Sequence, residues 1–179
     1  MIINEKNIYL LHLYKSIFFR FCKFKTDSNN KQYKIIVNAL NIKNRKQRIT
    51  YIYDSTCNYI DDYYQKENIC GFKNNQCYVQ QKKHSDLQYG CCRKCKYKRN
   101  TGCPTKNIAC KLFNCSEVKC TKKVLKYEDI ITLKLLSIRQ RIIIKSDFFS
   151  TREEVLKDLY SYSIIYSTIR ILIRLYKNR

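Results

Sequence analysis

The spacing of apolar positions divides the chain into three parts. Residues 7–24 place apolar side chains at helical intervals, interrupted by His12, Lys15 and Arg20, and so predict an amphipathic helix. The polar stretch TDSNNKQ ends it. KIIVNAL at 34–40 and RITYIY at 48–53 are short, β-branched and aromatic, and predict two paired strands joined by the basic link KNRKQR. Asp54 has the chemistry of an N-cap for DSTCNYIDDYYQK. That helix puts Cys57, Ile60 and Tyr64 on one face, with Asp61 and Asp62 turned away.

Residues 69–126 have little period of either kind. The C-terminal third is helical again. A first helix is expected over about 127–145, with Glu128 and Asp129 in its first turn, where the helix dipole favours acids. Ser150 and Glu153 make a capping box for a second, about 151–177. There Ser163, Ser167, Arg170, Arg174 and Lys177 form a polar stripe, and the isoleucines and leucines around it are expected to pack inward. The predicted class is α+β: N-terminal helix and strands over 1–53, an irregular cysteine-rich metal-stapled middle over 54–126, and a C-terminal helical hairpin over 127–179, together one compact unit.

Composition changes the picture through charge and cysteine. The 179 residues include 36 Lys+Arg against 14 Asp+Glu, a formal charge of +22. Lys, Asn, Ile and Tyr abundance is what A/T-rich codons would give, but that bias would raise Glu as well as Lys, and Glu is scarce. The basic excess therefore implies an anionic partner. It is uneven. Residues 1–53 are net +9, 54–86 net −1, 87–126 net +10 and 127–179 net +4. Three glycines, none suitably spaced, exclude a P-loop or a dinucleotide fingerprint. No run approaches the ~20 apolar residues of a membrane span. The N-terminal run lacks a small-residue cleavage site and reads as part of the mature protein, which places the chain in the cytoplasm.

The most basic segment is also the richest in cysteine. Ten of the eleven cysteines fall between Cys57 and Cys120. In a reducing compartment such a cluster points to metal rather than to a disulfide frame, and an odd count leaves one thiol over in any fully paired scheme. Cys92 and Cys95 form the one strict C-x-x-C, the knuckle spacing that aims two sulfurs at one ion. Cys110 and Cys115 have the next zinc-finger spacing. Cys70 and Cys77 bracket GFKNNQ, whose Asn-Asn step favours a tight turn that would bring the two together. One partition gives two zinc sites: Cys92, Cys95, Cys110 and Cys115 in one, and Cys70, Cys77, Cys91 and Cys103 in the other. A 4Fe-4S cluster is the alternative, although Lys98 breaks both the radical-SAM and the ferredoxin cysteine runs. Cys22, in an apolar stretch, reads as a buried thiol.

RKCKYKR surrounds Cys95 with Arg93, Lys94, Lys96, Lys98 and Arg99, and interposes Tyr97. Two all-thiolate zinc sites need only about four positive charges nearby, and this region exceeds that. The surplus predicts contact with RNA or DNA, cations on phosphates and Tyr97 stacked on a base. An acidic protein partner and a membrane surface, reached through the basic amphipathic C-terminal helix, are the other candidates. Catalysis has no positive signature. His84 could substitute as a ligand, His12 sits among apolar residues, and the deaminase motif is missing because Ser85 and Asp86 follow His84. The expectation is a cytosolic zinc protein that binds nucleic acid. The alternatives are an iron–sulfur protein of electron transfer or redox sensing, and a structural-metal interaction module without catalysis.

Overall fold

A computed structural model describes residues 1–18, 21–74, 76–82, 105–114, 118, 123–161 and 164–177. Those residues are mostly helical and contain no sheet, only the isolated bridges Ile2–Lys25 and Lys73–Gln76. The α+β expectation is thereby overturned. Both expected strands lie inside helices: 34–40 within α2 (Lys31–Asn41) and 48–53 within α3 (Arg45–Glu67).

The reason is a period visible only over longer windows. In α3 the buried residues are Ile49, Ile52, Tyr53, Thr56, Cys57 and Ile60, spaced three and four apart. Cutting the chain at Asp54 hides that stripe and leaves a β-like fragment. Asp54 is not an N-cap but lies mid-helix; the cap is Asn44, whose side chain accepts from the Gln47 amide at 3.1 Å. Asn30 caps α2 in the same way, accepting from the Gln32 amide at 2.8 Å. β-branched residues disfavour helix by only tenths of a kcal/mol each, and burial of a continuous apolar face outweighs that.

The N-terminal helix is shorter than expected. A 3-10 turn at Ile8–Leu10 leads into α1 (Leu11–Ser16). Beyond it the chain returns so that the Ile3 amide donates to the Lys25 carbonyl (2.8 Å) and the Lys25 amide to that of Met1 (2.9 Å). Cys22 lies outside the helix and is half-buried. After α3 the described residues include the short helices α4 (Tyr78–Lys82) and α5 (Ile108–Leu112).

The expected 127–145 helix is broken into 3-10 turns at Tyr127–Asp129 and Ile131–Leu135, then α6 (Ile138–Ser146). Leu136 is extended, and Ser137 starts α6 through a capping box with Gln140. α7 (Arg152–Tyr160) begins one residue later than expected, with Thr151 and Glu154 as its box in place of Ser150 and Glu153. It stops at Ser161, and α8 (Ile164–Lys177) is a separate helix. Side chains from α6 take the carbonyls that α7 leaves unbonded: Gln140 donates to Leu159 at 2.9 Å, and Arg139 donates to Ser161.

α3 is the central strut of the core, packed by α2, α5, α7 and the 131–135 turn. Its polar contacts fix their register. The Thr56 and Thr132 hydroxyls bond at 2.8 Å in a buried setting, and Tyr53 donates to the Lys106 carbonyl at 2.9 Å. Gln32 of α2 donates to the Asp129 carbonyl (3.0 Å) and accepts from the Ile131 amide (2.7 Å). Buried apolar residues from Ile3 to Ile171 form one continuous cluster. α8 departs from the expected packing. Its Arg170 pairs inward with buried Asp158 at 2.7 Å, while Ile165, Ile169, Leu172, Ile173 and Tyr176 are exposed.

Candidate functional site

Asn107 organises the segment that carries Cys110. It is 1% exposed and caps α5, its side-chain oxygen accepting from the Cys110 amide at 2.9 Å. Its amide group donates to the carbonyls of Asp147 (2.7 Å) and Ser150 (3.1 Å), which ties α5 to the turn between α6 and α7. In that turn Ser150 donates to Asp147, and Phe149 adopts a left-handed backbone conformation, φ 64°. An aromatic residue there is strained unless its surroundings hold it. The conformation aims the Phe149 amide at the Cys110 sulfur, 3.3 Å away. Phe113, Phe148 and Phe149 pack in sequence around this point.

Cys57 lies on the buried face of α3, as expected, beside Ile60 and the half-buried Tyr64. Burial pushes its thiol up to about 12; Lys111 opposes the shift, and Asp61 and Asp54 add to it. It is therefore a neutral thiol at physiological pH, neither nucleophile nor ready ligand. Asp61 pairs with Lys111 of α5, and Asp62 pairs with Lys31 of α2. Asp54 takes Arg152 in a two-pronged pair with both contacts at 2.6 Å. That bond is the main reason the guanidinium is held above its ordinary range.

The chain does turn between Cys70 and Cys77, with Asn75 of the Asn-Asn step outside the described residues. α3 ends at Asn68 in the left-handed region (φ 42°), whose side chain accepts from the Phe72 amide at 2.9 Å. Gly71 (φ 58°) and Asn74 (φ 50°) turn the chain, and Lys73 and Gln76 exchange amide–carbonyl bonds at 3.0 Å. A Cβ on Gly71 would sit 3.3 Å from that of Tyr78, so both conformation and space call for glycine. The turn returns the Tyr78 amide to within 2.9 Å of the Cys70 carbonyl. Gln81 of α4 locks it by donating to the carbonyls of Gly71 and Gln76, both at 2.7 Å.

Of the expected ligands, Cys70, Cys77 and Cys110 are thus placed. Cys91, Cys92, Cys95, Cys103 and Cys115 lie outside the described residues, as do Arg93, Lys94, Lys96, Tyr97, Lys98 and Arg99 and also His84. Among the described residues no three Cys, His, Asp or Glu side chains stand close enough to hold a metal ion. No described helix is long and apolar enough to cross a membrane.

The structure adds a feature that the sequence reading passed over. A cavity of about 200 Å³ is lined by Lys15, Ser16, Leu40, Arg48, Leu135, Ser137 and Gln140. The signal was Arg45 and Arg48, three apart in what reads as a loop until α3 is known to start there. Comparison with protein families, with curated proteins and with solved structures finds no match to this chain.

Proposed function

We propose that this is a cytosolic metal-thiolate protein, with zinc as the fitting metal, that contacts nucleic acid through its basic cysteine-rich segment. The observation that carries the reading is the setting of Cys110. A backbone amide, held in a strained left-handed turn, points at its sulfur. N–H donation of this kind stabilises a thiolate, the form that binds metal. Cys70 and Cys77 support it, since a locked turn brings the backbone flanking one back to the other. Tetrahedral zinc would draw on these sulfurs and on cysteines of the 91–115 run, and each thiol would release its proton on ligation.

Charge supports the nucleic-acid part. Six of the fourteen acids, Asp54, Asp61, Asp62, Glu128, Glu153 and Asp158, already pair with cations of the helical frame. Asp61 offsets Lys111 of residues 87–126, and the net +9 that remains there, with one acid in the segment, calls for anions from elsewhere. The test is metal content and visible spectrum of protein purified without oxygen, followed by RNA and DNA affinity against salt. Colourless zinc protein, with log affinity falling steeply against log salt, is the expected result. Iron with acid-labile sulfide would replace zinc with a redox cluster. Absent metal with paired thiols, or binding indifferent to salt, would overturn the reading.

One observation favours a membrane surface as a second partner. The exposed apolar residues of α8 recur at 165, 169, 172, 173 and 176, a single helical face on a chain of net charge +22. Co-flotation with anionic but not neutral vesicles is expected if that face lies on lipid, and absence of flotation refutes it.

A further inference from the structure

The cavity beneath α1 gathers positive charge, and among the described residues no carboxylate lines it. Lys15 comes from α1, Arg48 from α3, and Ser137 and Gln140 from the first turn of α6. Lys15 donates to the carbonyls of Lys134 (3.1 Å) and Leu136 (3.3 Å), which occupies two of its three N–H groups. Arg48 donates to the Ile42 carbonyl at 3.1 Å through Nη1. Three more cations, none of them lining the cavity, lie on the same elements, with Arg45 and Arg139 directed to the carbonyls of Tyr160 and Ser161. Arg45 lies one turn before Arg48, and Arg139 and Arg141 lie in the first turn of α6. Buried nitrogens of Arg139 (Nη1) and Arg141 (Nε) lack a hydrogen-bond partner among the described residues.

This arrangement is unfavourable as it stands. Burial, and then Arg141, lower the pKa of Lys15; burial, and then Arg45, lower that of Arg48. Arg139 is lowered by burial and by Arg45, with Asp158 opposing. Asp158 is itself fully buried and paired with Arg170. A fold that gathers cations around a hollow is stabilised when an anion fills it. The amides of Ile138 and Arg139 begin α6 with no intrahelical acceptor, so the positive end of a nine-residue helix adds to the field.

We propose that this cavity binds a small tetrahedral oxyanion, either inorganic phosphate or the terminal phosphoryl group of a phosphomonoester. Size is compatible with that class. About 200 Å³ holds roughly six waters at ~30 Å³ each, and pockets for drug-sized ligands begin near ~300 Å³. A phosphoryl group fits within it, with any ester substituent extending through the open side. The Lys15 ammonium and the Arg48 guanidinium contact the oxygens, and Ser137 adds a hydroxyl donor; the Ser16 hydroxyl is already given to the His12 carbonyl at 2.6 Å.

The test is calorimetric titration of the full chain with inorganic phosphate at constant ionic strength. Parallel titrations use a short oligonucleotide bearing a 5′-phosphate and the same oligonucleotide with a 5′-hydroxyl. Saturable binding of one phosphate per chain is expected. Lys15→Met and Arg48→Gln should each weaken it by about tenfold or more, and Lys34→Gln, on the exposed face of α2, should leave it unchanged. Tighter binding of the 5′-phosphate than of the 5′-hydroxyl identifies a phosphoryl chain end as the source; binding of inorganic phosphate alone identifies the free ion. Both support the site. No saturable phosphate binding by the wild-type chain overturns it, whatever the variants do. So does a loss in Lys34→Gln equal to that in Lys15→Met, which would mean general charge attraction.

Discussion

Replacing Asn107 tests the account of how α5 and Cys110 are held. The residue is 1% exposed and makes three hydrogen bonds to backbone groups: one accepted from Cys110, and one donated to each of Asp147 and Ser150. Asn107→Ala removes all three and leaves an amide and two carbonyls of a buried turn without those partners. At about 1 kcal/mol for each bond, the loss is about 3 kcal/mol. With a urea slope near ~2 kcal/mol/M, the unfolding midpoint should fall by about 1.5 M. For a chain of this length, the thermal midpoint should fall by about 6–12 °C. Asn107→Asp is nearly the same size and keeps the acceptor for Cys110, but it turns a carboxylate toward two carbonyl oxygens. It should destabilise at least as much as alanine. Urea unfolding followed by circular dichroism measures both. A loss under about 1 kcal/mol for alanine, or an aspartate variant as stable as wild type, would refute the assignment of Asn107 as the tie between α5 and the α6–α7 turn.

Other expectations concern charge and exposure. Cys57 keeps its proton in the fold up to about pH 12, while in the unfolded chain the thiol ionises near its ordinary value of 9.0. Stability from this group is thus full below pH 9 and is lost as pH rises toward 12, by up to about 1.4 kcal/mol per pH unit. Buried Tyr53, whose phenol burial also raises, adds a loss of the same sign. Urea unfolding between pH 8 and 11 should show the decline, shallower in Cys57→Ala, and an equal slope in that variant would contradict the linkage. Arg170→Met takes the ion-pair cation from fully buried Asp158 and should cost about 3 kcal/mol, much of it recovered in Asp158→Leu/Arg170→Met. Leu172→Ser, on the exposed face of α8, should change stability by less than about 0.5 kcal/mol while reducing flotation with anionic vesicles.

What could be read from the sequence follows the range of the interactions involved. The face of α3 carrying Cys57 and Ile60, and the turn after Cys70, depend on residues a few positions apart, and both were legible. The class was not. Ile35, Ile36 and Val37 have strand-like preferences, and only the packing of α2 on α3 makes them helical. The breaks in the C-terminal third also come from distant partners. Ser161 can end α7 because Arg139 and Gln140, twenty residues back, take its last carbonyls. The capping box fell one residue away because Ser150 is held by Asn107 and Asp147, leaving Thr151 to cap. The cavity was hidden for the same reason: Lys15, Arg48 and Ser137 are brought together only by tertiary structure.

α6 has a different business at each end. Its first turn lines the cationic cavity through Ser137 and Gln140, and just past its last residue Asp147 and Phe149 hold α5 and the Cys110 sulfur. The nine residues between span about 13 Å of continuous helix. The cavity and the Cys110 sulfur thus lie at opposite ends of one short helix. Whatever coupling this rod carries is reciprocal by thermodynamic necessity. Were metal to bind at Cys110 and phosphate in the cavity, the factor by which either alters the affinity of the other would be the same in both directions.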